Sequence, residues 1–211
     1  NHDLEYLMEL VLSRRPSYVV NFAAQGMVAQ SWGTPEQWFQ TNCLGIMSLV
    51  HELKEDRYLQ RYIQISSPEV YGSCSEKIKE DAPLNPSTPY AASKACGDLS
   101  LVPYFKNHQF PLVFTRATNV YGAFQQLYRI IPRTILCIKL GKKISLHGGG
   151  RSVKSYIHIR DVCAATLGIA RSGSNGEIYH ISPDDRGIAI YDLVSMIAEQ
   201  MGKKVDDYVT I

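Results

Sequence analysis

The chain has 211 residues, a formal net charge of +2 and 45% hydrophobic residues, as expected for an ordinary globular protein with a sizeable core. This charge gives no reason to expect nucleic acid or an anionic membrane as a partner, and no apolar run approaches the ~20 residues of a membrane span. The five cysteines stand singly, without Cys-x-x-Cys. We therefore expect free thiols in a reducing cytoplasm, with neither a disulfide framework nor a metal site.

Apolar residues at helical spacing predict a first helix over residues 3–14, and an apolar run at 18–22 predicts a buried strand. Thr34 and Pro35 predict the start of a second helix that runs to about residue 54. The other predicted elements are a strand at 61–67, a loop at 68–87, a helix from 89 that Pro103 kinks or ends, a strand at 110–116, a turn at 119–122, a helix at 128–140, a strand at 144–146, a turn at 148–150, a strand at 155–159, a helix at 161–171, a strand at 177–181 and a helix at 190–201. This alternation predicts an α/β fold with a parallel sheet.

The stretch from Ser87 to Lys94 carries the first sign of chemistry. Ser87 or Thr88 can cap a helix whose first residue is Pro89, which places Tyr90 and Lys94 on one helix face. An ammonium beside a phenol lowers the pKa of the phenol, which makes the tyrosine a usable base near neutral pH. A surface tyrosine above a lysine one turn away is the alternative interpretation.

Small and polar residues follow three of the predicted strands. Ala23 and Ala24, Ser66 and Ser67, and the pair at 118–119 each stand just past a strand end. Because ligands of open parallel sheets bind beyond the carboxyl ends of the strands, we expect these residues and the Tyr90 helix to converge on one edge of the sheet. This favours the functional interpretation of Tyr90 and Lys94.

With these motifs in place, the chain resembles the extended branch of the short-chain dehydrogenase/reductase family, and most closely its nucleotide-sugar dehydratases and epimerases of the dTDP-glucose 4,6-dehydratase type. The segments that carry the resemblance are Asn21-Phe22-Ala23-Ala24-Gln25, Thr41-Asn42, Ser66-Ser67-Pro68-Glu69-Val70-Tyr71-Gly72, residues 89–94, 116–122 and 157–161. The resemblance implies a partial Rossmann-like, doubly wound parallel sheet. Residues 1–124 would form the NAD-binding and catalytic part, and residues 125–211 a mainly substrate-binding part from which some segments return to the main sheet.

The resemblance also implies catalytic roles. Ser67 would hydrogen-bond the sugar hydroxyl that is oxidised, Tyr90 would take its proton, and Lys94 would lower the pKa of Tyr90. Glu69 stands where the 4,6-dehydratases have the base for C5, but Pro68 replaces the aspartate that helps the C6 hydroxyl leave. Glu69 favours a 4,6-dehydratase, and a 4-epimerase or a decarboxylase of the same family are the alternatives.

Binding residues follow from the same resemblance. The implied NAD-binding residues are Ala23, Ala24, Gln25, Asn42, Ser66, Tyr90 and Lys94, and the implied nucleotide-sugar contacts are Asn119, Arg129 and Lys154. A solvated surface lysine is the alternative for Lys154. His180 stands where the family usually has asparagine.

The glycine-rich loop that opens the family's NAD-binding domain is not found in these 211 residues. We therefore expect a fragment of a longer enzyme, with a non-catalytic remnant or binding module as the alternative from another class. The resemblance further implies a homodimer through the helix after Thr34 and the Tyr90 helix. The apolar residues predicted to supply that surface are Trp38, Phe39, Leu49, Leu99, Leu101 and Val102.

Overall fold

A computed structural model describes residues 2–74 and 76–210. The helices are α1 His2–Arg14, α2 Pro35–Phe39, α3 Ile46–Leu53, α4 Pro89–His108, α5 Ile130–Lys139, α6 Ile159–Ser172 and α7 Ile190–Gln200. The strands are β1 Tyr18–Asn21, β2 Arg61–Ile65, β3 Leu112–Ala117, β4 Asn119–Tyr121, β5 Ile144–Ser145, β6 Val153–Lys154, β7 Tyr156–His158, β8 Ile178–Ile181, β9 Ile188–Ala189 and β10 Val209–Thr210. Within the described part of the chain, none of the helices has the length and apolarity to span a bilayer.

The main sheet has four parallel strands in the order β1-β2-β3-β8. Tyr62 pairs with Leu112 across β2 and β3, and Phe114 pairs with Ile178 across β3 and β8. The parallel sheet predicted from the sequence is therefore confirmed. β3 is buried along nearly its whole length, because a central parallel strand is covered on both faces.

The chain divides into two compact units. The first comprises Asn1–Ala117 and Ala164–Ile181, and the second comprises Thr118–Cys163 and Ser182–Ile211. In the first unit, α4 packs against α2, α3 and the π-helical segment Gln40–Gly45 that joins them. In the second unit, α5 packs against α7, and Ile144, Leu146 and Val194 form its buried apolar cluster.

Two local features differ from the predictions. Pro103 does not end α4, because the helix continues to His108 and ends where Gln109 adopts a left-handed conformation. Asn119–Tyr121, predicted as a turn, form strand β4, because they pair in parallel with Tyr156–His158. A three-residue strand has too little alternation for a sequence pattern to detect it.

The apolar residues predicted to form a subunit interface are mostly internal. Trp38, Leu49 and Leu101 are buried within the chain itself, whereas Leu99 is 59% exposed. Leu49 and Leu101 lie in the cluster beneath β2 and β3, so helical periodicity alone did not separate their inner face from the outer one. Of the six residues, Leu99 is the one with a largely exposed side chain.

Candidate functional site

The turn after β1 is held by a buried asparagine. The Asn21 side-chain amide donates to Tyr62 Oη at 2.9 Å and to Gln64 Oε1 at 3.0 Å, and its oxygen accepts the Ala23 N–H at 3.0 Å. These bonds fix the chain as it leaves the sheet. Ala23 and Ala24 remain exposed, and their small side chains leave the backbone open to close approach by a ligand.

Asn42 clamps the loop after β1 to α4. Its Nδ2 donates to Gln25 O and to Ser93 Oγ, both at 3.0 Å, and its Oδ1 accepts the Gln25 N–H at 2.8 Å. Asn42 is completely buried. Both of its N–H groups are therefore used inside the protein, and its effect on a ligand would pass through the position of Gln25.

The residues after β2 form a short turn that carries two of the predicted catalytic side chains. Pro68–Tyr71 make one turn of 3-10 helix, and Ser67 caps it because its Oγ accepts the Glu69 N–H at 3.2 Å. Ser67 is buried and Glu69 is half-buried. Gly72 ends the turn at φ +73°, where an added Cβ would lie 2.2 Å from Asn85 O, so glycine is required there.

Helix α4 brings Lys94 to the end of β2. Thr88 caps the helix by accepting the Ala91 N–H at 3.1 Å, as the sequence predicted. Lys94 is 2% exposed, and its Nζ donates to Ile65 O at 2.8 Å. Burial lowers the pKa of Lys94, and the Asp98 carboxylate opposes this.

Tyr90 stands at the start of the same helix, one turn before Lys94. Its backbone N–H donates to Ser31 Oγ at 3.1 Å, and its carbonyl accepts from Ser93 Oγ at 2.7 Å. Ser31, whose side chain is fully buried, thus anchors the helix start that carries Tyr90. The structure therefore places Tyr90, Lys94, Ser66, Ser67 and Glu69 in one unit, on α4 and the turn after β2.

A buried ion pair lies beneath this turn, and neither of its two residues had a role predicted from the sequence. Asp98 and Arg116 are 4% and 3% exposed, and Arg116 Nη2 lies 2.8 Å from Asp98 Oδ2. Ser66 Oγ donates to the same carboxylate oxygen at 2.6 Å, and Arg116 Nη1 donates to Tyr71 Oη. The pair joins α4, β3 and both ends of the turn that carries Ser67 and Glu69.

His180 extends this network. Its Nε2 lies 2.8 Å from Tyr71 Oη, and its backbone N–H donates to Glu80 Oε1 at 3.0 Å. Burial lowers the pKa of His180, which favours the neutral ring, and Tyr71 Oη also donates to Glu80 O at 3.1 Å. The His180 N–H also lowers the pKa of Glu80. The histidine that replaces the usual family asparagine thus connects β8 to the turn after β2.

The three predicted nucleotide-sugar contacts all belong to the second unit. Asn119 is exposed on β4, and its Nδ2 donates to Ser155 O at 3.1 Å. Arg129 precedes α5 and is exposed, with its guanidinium 5.5 Å from the centre of the Tyr128 ring. Lys154 is half-buried on β6. The second unit thus carries two cations and one amide of the predicted set.

The residues of the first unit fit the nicotinamide end of NAD. Lys94 supplies a buried cation beside the end of β2, and its Nζ has two protons beyond the one given to Ile65 O. Ala23 and Ala24 supply accessible backbone at the end of β1, and the Ser66 hydroxyl is already directed to Asp98. Lys94 and the alanine backbone are therefore the groups best placed to contact such a cofactor.

Residues 2–182 match the NAD dependent epimerase/dehydratase family. The chain therefore belongs to this family, as the motifs predicted. It is 35% identical over 164 residues to the dTDP-glucose 4,6-dehydratase of Streptomyces niveus, an alignment that covers 77% of this chain and 48% of that protein. The chain spans about half the length of the curated relatives it matches.

Solved structures agree with this assignment. The dTDP-glucose 4,6-dehydratase of Bacillus anthracis, in complex with NAD, is 30% identical with a TM-score of 0.89 over 98% of this chain and 63% of that one. The UDP-glucuronic acid 4-epimerase of Bacillus cereus, in complex with UDP-glucuronic acid and NAD, is 27% identical with a TM-score of 0.88 over 96% of this chain and 63% of that one. The predicted α/β Rossmann-type fold is confirmed.

Proposed function

We propose that the intact protein is an NAD-dependent nucleotide-sugar 4,6-dehydratase, which oxidises C4 of a hexose, removes the C5 proton and releases water from C6. The observation that carries the proposal is the placement of Ser67 and Glu69 on one turn after β2, beside the Lys94 ammonium at the end of that strand. The relative from Streptomyces niveus and the neighbour from Bacillus anthracis, both 4,6-dehydratases, support it.

The first step needs a proton acceptor for the C4 hydroxyl. In our proposal Ser67 hydrogen-bonds this hydroxyl and Tyr90 accepts its proton. The buried Lys94 ammonium stabilises the Tyr90 phenolate that accepts this proton, since a charge acts more strongly where water is excluded. When bound, the nicotinamide would supply the acceptor for the hydride from C4. We propose that the cofactor is contacted by Ala23, Ala24, Gln25, Tyr90 and Lys94. Asn42 and Ser66, whose side chains are bonded within the protein, would hold these contacts in position.

The second step depends on Glu69. A ketone at C4 acidifies the C5 proton, so a single positioned carboxylate can remove it. Pro68 has no proton to give to the departing C6 oxygen. We propose that the Glu69 carboxyl, after taking the C5 proton, donates a proton to that oxygen, so that one residue acts as base and then as acid. The hydride taken from C4 would then return to C6 and a proton to C5, which leaves a 4-keto-6-deoxy sugar that is lighter by one water.

Glu69→Gln tests whether Glu69 removes the C5 proton after C4 has been oxidised. Glutamine keeps the shape but cannot accept a proton, so turnover should fall by about 10²–10⁴ while C4 oxidation persists and reduced cofactor accumulates on the enzyme. Tyr90→Phe should fail earlier, without reduced cofactor, and Glu76→Gln, an exposed carboxylate of the neighbouring loop, is the matched control. Normal turnover by Glu69→Gln would refute the dehydratase.

The intact protein and a panel of nucleotide hexoses decide among the family activities. A product lighter by one water supports the dehydratase, and inversion at C4 with unchanged mass supports a 4-epimerase. Two observations favour testing for a 4-epimerase. The Bacillus cereus neighbour is a 4-epimerase, and Pro68 cannot serve as an acid. Loss of carbon dioxide from a uronic acid would instead indicate a decarboxylase.

A non-catalytic remnant or binding module is the alternative from another class. Titration of the 211-residue chain with NAD tests the remnant directly, since a remnant should bind neither NAD nor a nucleotide sugar. Micromolar NAD binding would exclude the remnant. Loss of that binding in Lys94→Met would place the cofactor at the end of β2.

We also propose a cytoplasmic homodimer that associates through α3, α4 and the segment between α2 and α3. Leu44 and Leu99 are 45% and 59% exposed on these elements. Two such side chains on packed helices favour burial against a second copy. Leu99→Glu should shift the sedimentation coefficient from dimer to monomer, and wild-type chains that sediment as monomers at tens of micromolar would contradict this assembly.

A further inference from the structure

Two cysteines that are far apart in the sequence meet where α4 packs on the π-helical segment. Cys43 Sγ lies 3.1 Å from Cys96 Sγ. Both residues belong to the first unit, and all five cysteines of the chain are free thiols. This pair could not be predicted from the sequence, because no two cysteines have the spacing of a known motif such as Cys-x-x-Cys.

The close approach depends on a glycine next to Cys96. A Cβ added to Gly97 would lie 2.1 Å from Asn42 O and 3.7 Å from Cys43 Cα. Only a residue without a side chain allows the two backbones to come this near. The thiols are therefore held together by the packing of main chains rather than by flexible side-chain contact.

The two thiols differ in environment. Cys43 is 6% exposed, whereas Cys96 is half-buried. Burial and the neighbouring Cys96 thiol raise the pKa of Cys43 to about 11. Since the thiolate is the reactive form, the more accessible Cys96 is the thiol that a small oxidant reaches first.

We propose that Cys43 and Cys96 form a dithiol site that hydrogen peroxide oxidises to an intramolecular disulfide. The Cys96 thiolate attacks one peroxide oxygen, which breaks the O–O bond, forms a sulfenic acid and releases hydroxide. The Cys43 sulfur then attacks Cys96 Sγ and displaces the sulfenic oxygen as hydroxide. The thiol protons and the two hydroxides make two waters, so two thiols lose two electrons and one peroxide gains them.

Little movement is needed for the second step. A disulfide bond is about 2.0 Å long, so the sulfur atoms must approach by only about 1 Å. The bond would covalently join the segment that contains Asn42 to the helix that contains Lys94. This site is independent of the proposed activity, because its chemistry needs neither NAD nor a sugar.

Treatment of the folded chain with hydrogen peroxide tests the site. We expect two of the five thiols to be lost, the intact mass to fall by two hydrogens, and a peptide containing Cys43 to be linked to one containing Cys96. Dithiothreitol should restore all the thiols. Failure to lose thiols, or linkage through another cysteine or between two chains, would overturn the proposal.

Single substitutions separate the two steps. In Cys43→Ser, the reaction should stop at the Cys96 sulfenic acid, which dimedone then labels, whereas wild type should show little label at Cys96. Cys163→Ser, which removes an exposed thiol, is the control and should still form the disulfide. Equal dimedone labelling of Cys96 in wild type and Cys43→Ser would overturn the proposal without any reliance on the stability of the variant.

Discussion

Arg116→Met should be among the most damaging single substitutions in the first unit. Methionine retains an apolar stem but removes the guanidinium that lies 2.8 Å from Asp98 Oδ2 and that also donates to Tyr71 Oη. Of the hydrogen-bond donors to the Asp98 carboxylate described above, Ser66 Oγ is then the one that remains. Breaking one side of a buried ion pair leaves an uncompensated charge, which costs about 3–5 kcal/mol.

A double-mutant cycle measures whether the ion pair is the cause. Asp98→Leu combined with Arg116→Met removes both charges, so the double variant should be far more stable than the sum of the two single losses predicts. Urea unfolding followed by tryptophan fluorescence is the assay. It reports on the correct unit, because Trp32 and Trp38 both belong to the first unit.

The pH dependence gives the same experiment a second readout. Burial raises the pKa of Asp98, and Arg116 opposes this, so in Arg116→Met the pKa rises further. A carboxyl with a raised folded pKa stabilises the fold at low pH and loses this contribution as the pH rises through that pKa. The deficit of Arg116→Met should therefore be smaller near pH 5 than near pH 8. A loss below about 1 kcal/mol, or strict additivity in the cycle, would refute the reasoning.

Two further substitutions probe the packing and the charges around the turn. Gly97→Ala places a Cβ 2.1 Å from a backbone oxygen of the neighbouring segment, so the free energy of unfolding in urea should fall by about 1–3 kcal/mol. Gly168→Ala is the control and should lose no stability, because its added Cβ has nothing within 4 Å. Equal effects of the two substitutions would contradict the close approach at Gly97. The His180 N–H lowers the pKa of Glu80 from its ordinary value of 4.5, so this contribution is present above that value and disappears as the pH falls through the lowered pKa. Wild type should thus be more stable than Glu80→Gln at neutral pH and should lose this advantage in acid, and a difference independent of pH would argue against it.

Much of the fold could be predicted from local patterns. Apolar periodicity located α7 to within one residue, and the cap at Thr88 with Pro89 marked the start of α4. The alternation of helices with short apolar strands predicted the parallel sheet, and the order of the family motifs along the chain predicted the family. These features depend on residues that are near one another in the sequence, where spacing alone determines which face a side chain occupies.

The contacts that organise the candidate site could not be predicted in this way. His180 replaces the asparagine that is usual in the family, and its contact with Tyr71 depends on the pairing of β8 with β3. Nothing in the sequence around Asp98 distinguishes it from an ordinary aspartate of a helix, and only the fold shows that it pairs with Arg116. The burial of Trp38, Leu49 and Leu101 within the chain was missed for the same reason, since periodicity identifies an apolar stripe but not the surface that covers it.

The alternation of the chain between its two units constrains the order in which it can fold. β8 joins the sheet beside β3 only after the chain has passed through Thr118–Cys163, and β10 pairs with β5 only after Ala164–Ile181 have returned to the first unit. Such distant pairings carry a loop-closure cost and slow the folding of a chain. Because the chain passes between the units at three places, after Ala117, Cys163 and Ile181, a single cut always leaves one piece that holds segments of both units.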